Sequence, residues 1–266
     1  MIEPMTYIKI LNVPMDDLTM DELLPKLKHG GVVFTPNVDH LVKLQKDEEF
    51  CKVYELADYR TCDSQILLYA SKFLGTPLRG KISGSDLFPA FYQYYRDDED
   101  ISIFLLGAAE GVAAKAQEII NAKVGRPIVI GAHSPSFGFE KNEAECYAII
   151  DLVNQSGATV LAVGVGAPKQ EKWIAKYRDR FTTVKTFLAI GATIDFEAGK
   201  TKRSPVWLTK LGLEWVYRLL SEPGRLWKRY LVDDLFPIVW MLLQQRFNFY
   251  KPKYVITPVN HSGDRP

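Results

Sequence analysis

Five clusters of polar and small residues follow apolar runs along this 266-residue chain. Each is suited to a charged or hydroxylated ligand. Thr35-Pro36-Asn37 offers a hydroxyl and an amide. Asp63 offers a carboxylate that can take a proton from an attacking hydroxyl, as a general base does. Gly107-Ala108-Ala109 is small enough for backbone N–H groups to approach a phosphate at a helix start. In Gly164-Val165-Gly166-Ala167-Pro168-Lys169-Gln170, Lys169 suits a phosphate and Gln170 a sugar hydroxyl. Gly191 admits a flat base or ribose against the backbone, and Asp195 can bind a ribose or a base edge. Each cluster also has a structural reading, because Thr, Asn and Asp cap helices and glycine serves tight turns. Residue types alone leave both readings open.

Elements of two kinds separate these clusters. The apolar runs at 7–11, 32–35, 59–62, 101–106, 127–131, 159–163 and 184–190 are unbroken rather than alternating. Strands covered on both faces read this way. Helical patterns lie at 20–28, 37–57, 64–74, 85–95, 110–122, 140–156 and 169–179. Alternation of this kind predicts an α/β fold: a Rossmann-like open, mostly parallel sheet flanked by helices. In such sheets ligands bind outside the carboxyl ends of the strands, where the five clusters fall. After Gly199 the strand pattern stops. Residues 205–250 hold four of the five tryptophans, and Trp207, Leu211, Trp215 and Leu219 keep helical spacing. Breaks are expected at Glu222-Pro223-Gly224 and Pro237. The predicted organisation is a catalytic α/β domain over 1–199, a helical C-terminal appendage over 200–250 and a loose tail over 251–266.

Composition narrows the chemistry. Hydrophobic residues at 47% and charged residues at 24% exclude a disordered chain. The three cysteines are spaced too widely for a CxxC, and the four histidines show no ligand-like spacing, so no metal site is expected. No apolar run is long enough to span a bilayer, and no secretory leader is evident at the N-terminus. The net charge of +1 hides an imbalance: residues 200–253 carry eleven Lys/Arg against four acids. That basic, aromatic segment suits an interfacial helix on an anionic membrane surface. A solvated basic face, with the aromatics packed on the body, is the structural alternative. Arg203, Arg218 and Arg225 within it can stabilise phosphate charge. The acidic body argues against nucleic acid.

Taken together these strings resemble the WecG/TagA/CpsF family of bacterial glycosyltransferases (glycosyltransferase family 26). The matching pieces are Thr35-Pro36-Asn37, Asp63, Gly84-Ser85-Asp86-Leu87, Leu106-Gly107, 163–174, 191–199, Lys202-Arg203-Ser204-Pro205, 212–218, Glu222-Pro223 and Arg225. The resemblance implies inverting transfer of an N-acetylmannosamine-type sugar, uronic acid or glucose. The donor is a UDP-sugar and the acceptor a polyprenyl-diphosphate-linked sugar, in cell-surface polysaccharide synthesis. It implies that Asp63 is the base with Thr35 and Asn37 beside it, and that Gly107, Gly166, Lys169, Gln170, Gly191 and Asp195 line the donor site. It further implies an appendage that docks on the membrane and brings Arg203, Arg218 and Arg225 to the phosphates. No cofactor beyond the donor is expected, and the place implied is the cytoplasmic face of the cell membrane. Asp63-Ser64 departs from the Asp-Gly of many members, and Ala108-Ala109 replaces a common proline-containing turn.

Two rivals remain at this level. An NAD-dependent oxidoreductase would need glycine where Lys169 stands. A non-catalytic membrane-surface adaptor would explain the basic segment but not the polar residues at several strand ends.

Overall fold

The computed structural model describes residues 7–201, 203–205, 208, 211, 213–221 and 223–258; of the side chains of 218, 221, 225 and 229 nothing is described. The chain forms two compact units. One consists of 20–34 and 84–202, the other of 1–19, 35–83 and 203–266.

The first unit holds five strands: β3 (Gly31–Phe34), β5 (Ile103–Gly107), β6 (Val129–His133), β7 (Val160–Gly164) and β8 (Thr186–Ala189). They lie in the order β3-β8-β7-β5-β6, all parallel. β5, β7 and β8 are buried along their whole length, which explains their unbroken apolar sequence. The helices of this unit are α1 (Met20–Lys26), α5 (Gly84–Tyr94), α6 (Val112–Val124), α7 (Glu143–Ser156), α8 (Lys169–Tyr177) and α9 (Thr193–Glu197). α9 packs on both α5 and α6, while α7 lies against β6 and α8 against β8. Right-handed crossovers require this split. The chain leaves β5 outward to β6 through α6, then returns to β7 and β8 through α7 and α8 on the other face. The direction therefore reverses between β5 and β7, and a crevice opens at their carboxyl ends.

Three glycines build that end of the sheet. Gly107 pairs with Gly164 in register, and a Cβ on Gly107 would lie 2.4 Å from the Gly164 carbonyl oxygen. A Cβ on Gly164 would lie 2.6 Å from the Gly191 oxygen and 2.9 Å from Ile194 Cδ1. Backbone thus packs directly on backbone, and the turn after β8 folds over the end of β7.

The second unit pairs β1 (Tyr7–Ile10) with β2 (Val13–Asp16) as an antiparallel hairpin. The sequence reading placed 7–11 among the strands of the open sheet; two-residue reversal at Leu11-Asn12 makes it a separate ribbon instead, with Leu11 in the left-handed region. The unit also has the short β4 (Tyr59–Arg60) and helices α2 (Val38–Lys43), α3 (Glu48–Glu55) and α4 (Gln65–Phe73). The single helix expected over 37–57 is two, because the Asp47 side chain caps α3 by accepting from Phe50 N. β2 holds β4 through Asp16, whose carboxylate accepts the Arg60 N–H at 2.6 Å. Burial pushes the Asp16 carboxyl up to about 6, against the opposing pull of that hydrogen bond and of the Arg60 charge.

The appendage belongs to this unit. It runs through α10 (Glu214–Ser221), α11 (Pro223–Trp227), a π-helical stretch (Lys228–Leu235) and α12 (Phe236–Arg246). The breaks expected at Pro223 and Pro237 are helix starts. Pro223 opens α11, and Pro237 follows the change of register from π to α, where a missing N–H is tolerated. Asp234, Ile238 and Leu242 are buried at four-residue spacing, and the π-helical stretch and α12 both pack on α2. The tail expected to be loose is anchored as far as 257. Asn12 Nδ2 donates to the Tyr254 carbonyl at 3.0 Å, Thr257 Oγ1 to Glu55 at 3.0 Å, and Ile256 is fully buried.

The glycine packing gives a test. Gly164→Ala forces backbone apart and should cost about 3 kcal/mol of stability. Gly166→Ala, at φ +83° with open space around it, should cost only about 1 kcal/mol of left-handed strain. Equal urea midpoints for the two variants would refute the packing account.

Candidate active site

Thr35, Asn37 and Asp63 come together in the second unit. The Asp63 N–H donates to the Pro36 carbonyl at 2.9 Å, which stitches the segment after β4 to the Thr35–Asn37 turn. On its other side, Ile82 N donates to Cys62 O and Thr61 Oγ1 to Ile82 O, both at 2.9 Å. Asp63 is therefore fixed from two directions while remaining only half-buried. Its side chain is not the helix cap. Ser64 has that role, its Oγ accepting from Ile66 N at 3.1 Å and Leu67 N at 3.4 Å. Asn37 does cap α2, its Oδ1 accepting from His40 N at 3.1 Å, so its amide Nδ2 is the group it can offer a ligand. Thr35 is buried. Burial pushes the neighbouring Cys62 thiol up to about 12, which keeps it protonated and unsuited to nucleophilic chemistry. The Ile82 pairing also brings Lys81 within electrostatic reach of Cys62, a cation the sequence reading passed over.

Gly107, Gly166, Lys169, Gln170, Gly191 and Asp195 gather at the crevice of the first unit. Gly166 (φ +83°) and Gly191 (φ +56°) face open space, so a flat group can lie against either. Ala108 holds φ +61° and donates its N–H to Gly164 O at 3.3 Å; a non-glycine residue in this region stores about 1 kcal/mol of strain. Gln170 is 3% exposed, and its Oε1 accepts from both Gly166 N and Gly191 N at 3.2 Å. The sequence reading gave Gln170 a sugar hydroxyl; the structure shows its carbonyl oxygen engaged by the protein's own backbone. Asp195 sits on α9, half-buried, with Lys200 Nζ 3.8 Å from its carboxylate.

Lys169 opens α8, and its Nζ stands 5.0 Å from the centre of the Phe137 ring. Phe137 is fully exposed, yet its loop is held firmly. Ser134 Oγ donates to Gly107 O at 3.2 Å and Ala109 O at 2.8 Å, while Ser136 donates twice to Glu145. An aromatic presented on an anchored loop beside the β5 turn is a platform for a flat ring. Its signal in sequence was slight: one Phe between Ser-Pro-Ser and Gly-Phe in a polar turn.

Arg203 is exposed; Arg218 and Arg225 lie on α10 and α11, with side chains outside the described residues. Lys202, Trp207, Gly212 and Glu222 of the sequence motifs also lie outside the described residues. The appendage exposes Leu220, Trp227, Phe236, Trp240, Phe247 and Phe249. Among the described residues no helix is long and apolar enough to cross a membrane. A cavity of about 640 Å³ lies elsewhere, at the amino ends of the strands, among Lys28, Tyr95, Asp97, Asp98, Glu99 and Asp100. Its acidic lining repels a diphosphate.

The comparisons with known proteins agree with the geometry. The family model described as glycosyl transferase WecG/TagA/CpsF family matches residues 8–252. The chain is 30% identical over 202 residues to an N-acetylglucosaminyldiphosphoundecaprenol N-acetyl-beta-D-mannosaminyltransferase of Bacillus spizizenii, covering 76% of this chain and 75% of the relative. Neither the oxidoreductase nor the adaptor reading survives this match: the chain belongs to the WecG/TagA/CpsF family and is a glycosyltransferase.

Proposed function

We propose that this enzyme transfers an N-acetylmannosamine-type sugar from a UDP-sugar to a polyprenyl-diphosphate-linked sugar, with inversion and without a metal ion. The observation that carries the donor site is the glycine-floored crevice at the ends of β5, β7 and β8, which Lys169 and Phe137 flank. Phe137 offers a face to the uracil and Asp195 a carboxylate to the ribose, while Lys169 offers charge to the diphosphate. The relative's name, a transferase acting on a lipid-linked N-acetylglucosamine, supports the acceptor class and the sugar.

In the reaction, the Asp63 carboxylate accepts the proton of the acceptor hydroxyl as that oxygen bonds to the anomeric carbon. The bond from that carbon to the UDP oxygen breaks from the opposite face, and UDP departs with the electron pair. Thr35 and the Asn37 amide orient the reacting groups. Lys169 and the arginines of the appendage balance the charge on the leaving diphosphate. The backbone hydrogen bond from Asp63 to Pro36, which sets it beside the Thr35–Asn37 turn, supports its part as base.

The exposed aromatics of the appendage support a location for this chemistry at the cytoplasmic membrane surface. Its Asp234–Ile238–Leu242 stripe is taken up by packing, so Phe236 and Trp240 are turned toward solvent, next to a strongly basic sequence. An interfacial helix has this division.

Asp63→Asn should lower turnover by about 100- to 10,000-fold while leaving the Kd for UDP within about threefold, and wild-type turnover should persist in EDTA. Wild-type rates in the variant would refute the base. Phe236→Ser with Trp240→Ser should cut co-sedimentation with anionic liposomes by at least about fivefold, since burial of the two rings supplies several kcal/mol; unchanged sedimentation would exclude this face as the contact.

A further inference from the structure

Gln170 and Glu171 are consecutive residues of α8, and both are buried, at 3% and 0% exposure. Their side chains bond to each other, Gln170 Nε2 donating to Glu171 Oε1 at 2.8 Å. The other end of the same carboxamide accepts two backbone N–H groups, from Gly166 in the turn after β7 and from Gly191 in the turn after β8. These are separate loops, 25 residues apart in sequence, and one oxygen joins them.

Each loop needs such a restraint. Both glycines hold left-handed φ with nothing within 4 Å of a notional Cβ, so no neighbour packs against that face of either turn. Glycine is also the residue with the most conformational freedom to lose. Lys169 follows one loop and Asp195 the other, and their separation depends on the two turns keeping a fixed relation. A ligand that had to order both loops would bind with that ordering cost subtracted from its affinity.

The clamp works in one orientation only. A carboxamide is nearly symmetric in shape, and the flipped rotamer would set NH2 against two N–H donors. Glu171 excludes that flip, because a carboxylate accepts and does not donate. A buried carboxylate is costly unless hydrogen-bonded, and through Oε1 this one orients its neighbour.

We propose that the Gln170–Glu171 pair is a positioning device for the donor site: Gln170 locks the β7 and β8 turns together and Glu171 sets the direction of its amide. Glu171 has no contact with substrate in this scheme, and Gln170 acts through the two loops. The proposal rests on the donor reading above.

The test combines amide hydrogen exchange in the ligand-free protein with UDP titration, on wild type, Gln170→Ala, Gln170→Glu and the exchanged pair Gln170→Glu/Glu171→Gln. Gln170→Ala should speed exchange at Gly166 and Gly191 together by about tenfold or more, leave the amides of α6 unchanged, and raise the UDP Kd about tenfold. Gln170→Glu, which sets carboxylate against carboxylate, should weaken UDP binding to a similar degree. The exchanged pair restores an acceptor at 170, a donor at 171 and a single charge. It should return the Kd to within about threefold of wild type, a rescue that a mere packing role would not produce. Unchanged exchange at the two glycines in Gln170→Ala overturns the clamp, and so does an exchanged pair no better than Gln170→Glu. Faster exchange with an unchanged Kd overturns its role in donor binding. Should wild type fail to bind UDP, the donor reading and the clamp's role in it fall together, and the exchange arm alone then shows whether the loops are joined.

Discussion

Direct backbone packing at the carboxyl ends of β5, β7 and β8 is the constraint on which the rest depends. Gly107 lies on Gly164, and Gly164 lies under Gly191, at separations that no Cβ allows. Because the three strand ends are that close, the turns leaving them share one small region. The β7 turn delivers Lys169, the β8 turn delivers Asp195, and the β5 turn supports the loop that raises Phe137. A side chain at Gly107 or Gly164 would separate these groups before it touched a ligand.

The second unit solves a different problem, holding the backbone that carries a carboxylate still. Backbone hydrogen bonds from Asp63 to Pro36 and from Ile82 to Cys62 fix the segment, and Ser64 caps the helix that follows. The cap of that helix is therefore Ser64 and not Asp63. Asn37 is a compromise, since one end of its amide caps α2 and the other is left to chemistry. The π-helical stretch and α12 press on α2, so the appendage supports the helix that Asn37 begins.

Much of this was legible in the sequence because burial on both faces leaves continuous apolar runs. The strands β5, β7 and β8 were found that way, and the glycines after them marked the crevice. The hairpin β1–β2 was not, since four strand-forming residues read alike in a ribbon and in a sheet. Pro223 and Pro237 misled for a physical reason: proline ends a helix in its interior but is tolerated in a first turn or at a change of register, and sequence does not show which. The part of Gln170 was hidden for a similar reason. Its chemistry suits a sugar hydroxyl equally well, and only the fold shows two backbone N–H groups converging on its oxygen. Phe137 was missed because a lone aromatic in a polar turn has no periodic partner.

The most direct test of the account is a two-dimensional amide spectrum of the isotopically labelled protein titrated with UDP. The account predicts shift changes concentrated at 107–111, 134–138, 164–169 and 191–195, the turns at the carboxyl ends of the sheet. Changes confined to the acidic cavity around Lys28, Tyr95 and Asp98, at the opposite ends of the strands, would contradict it.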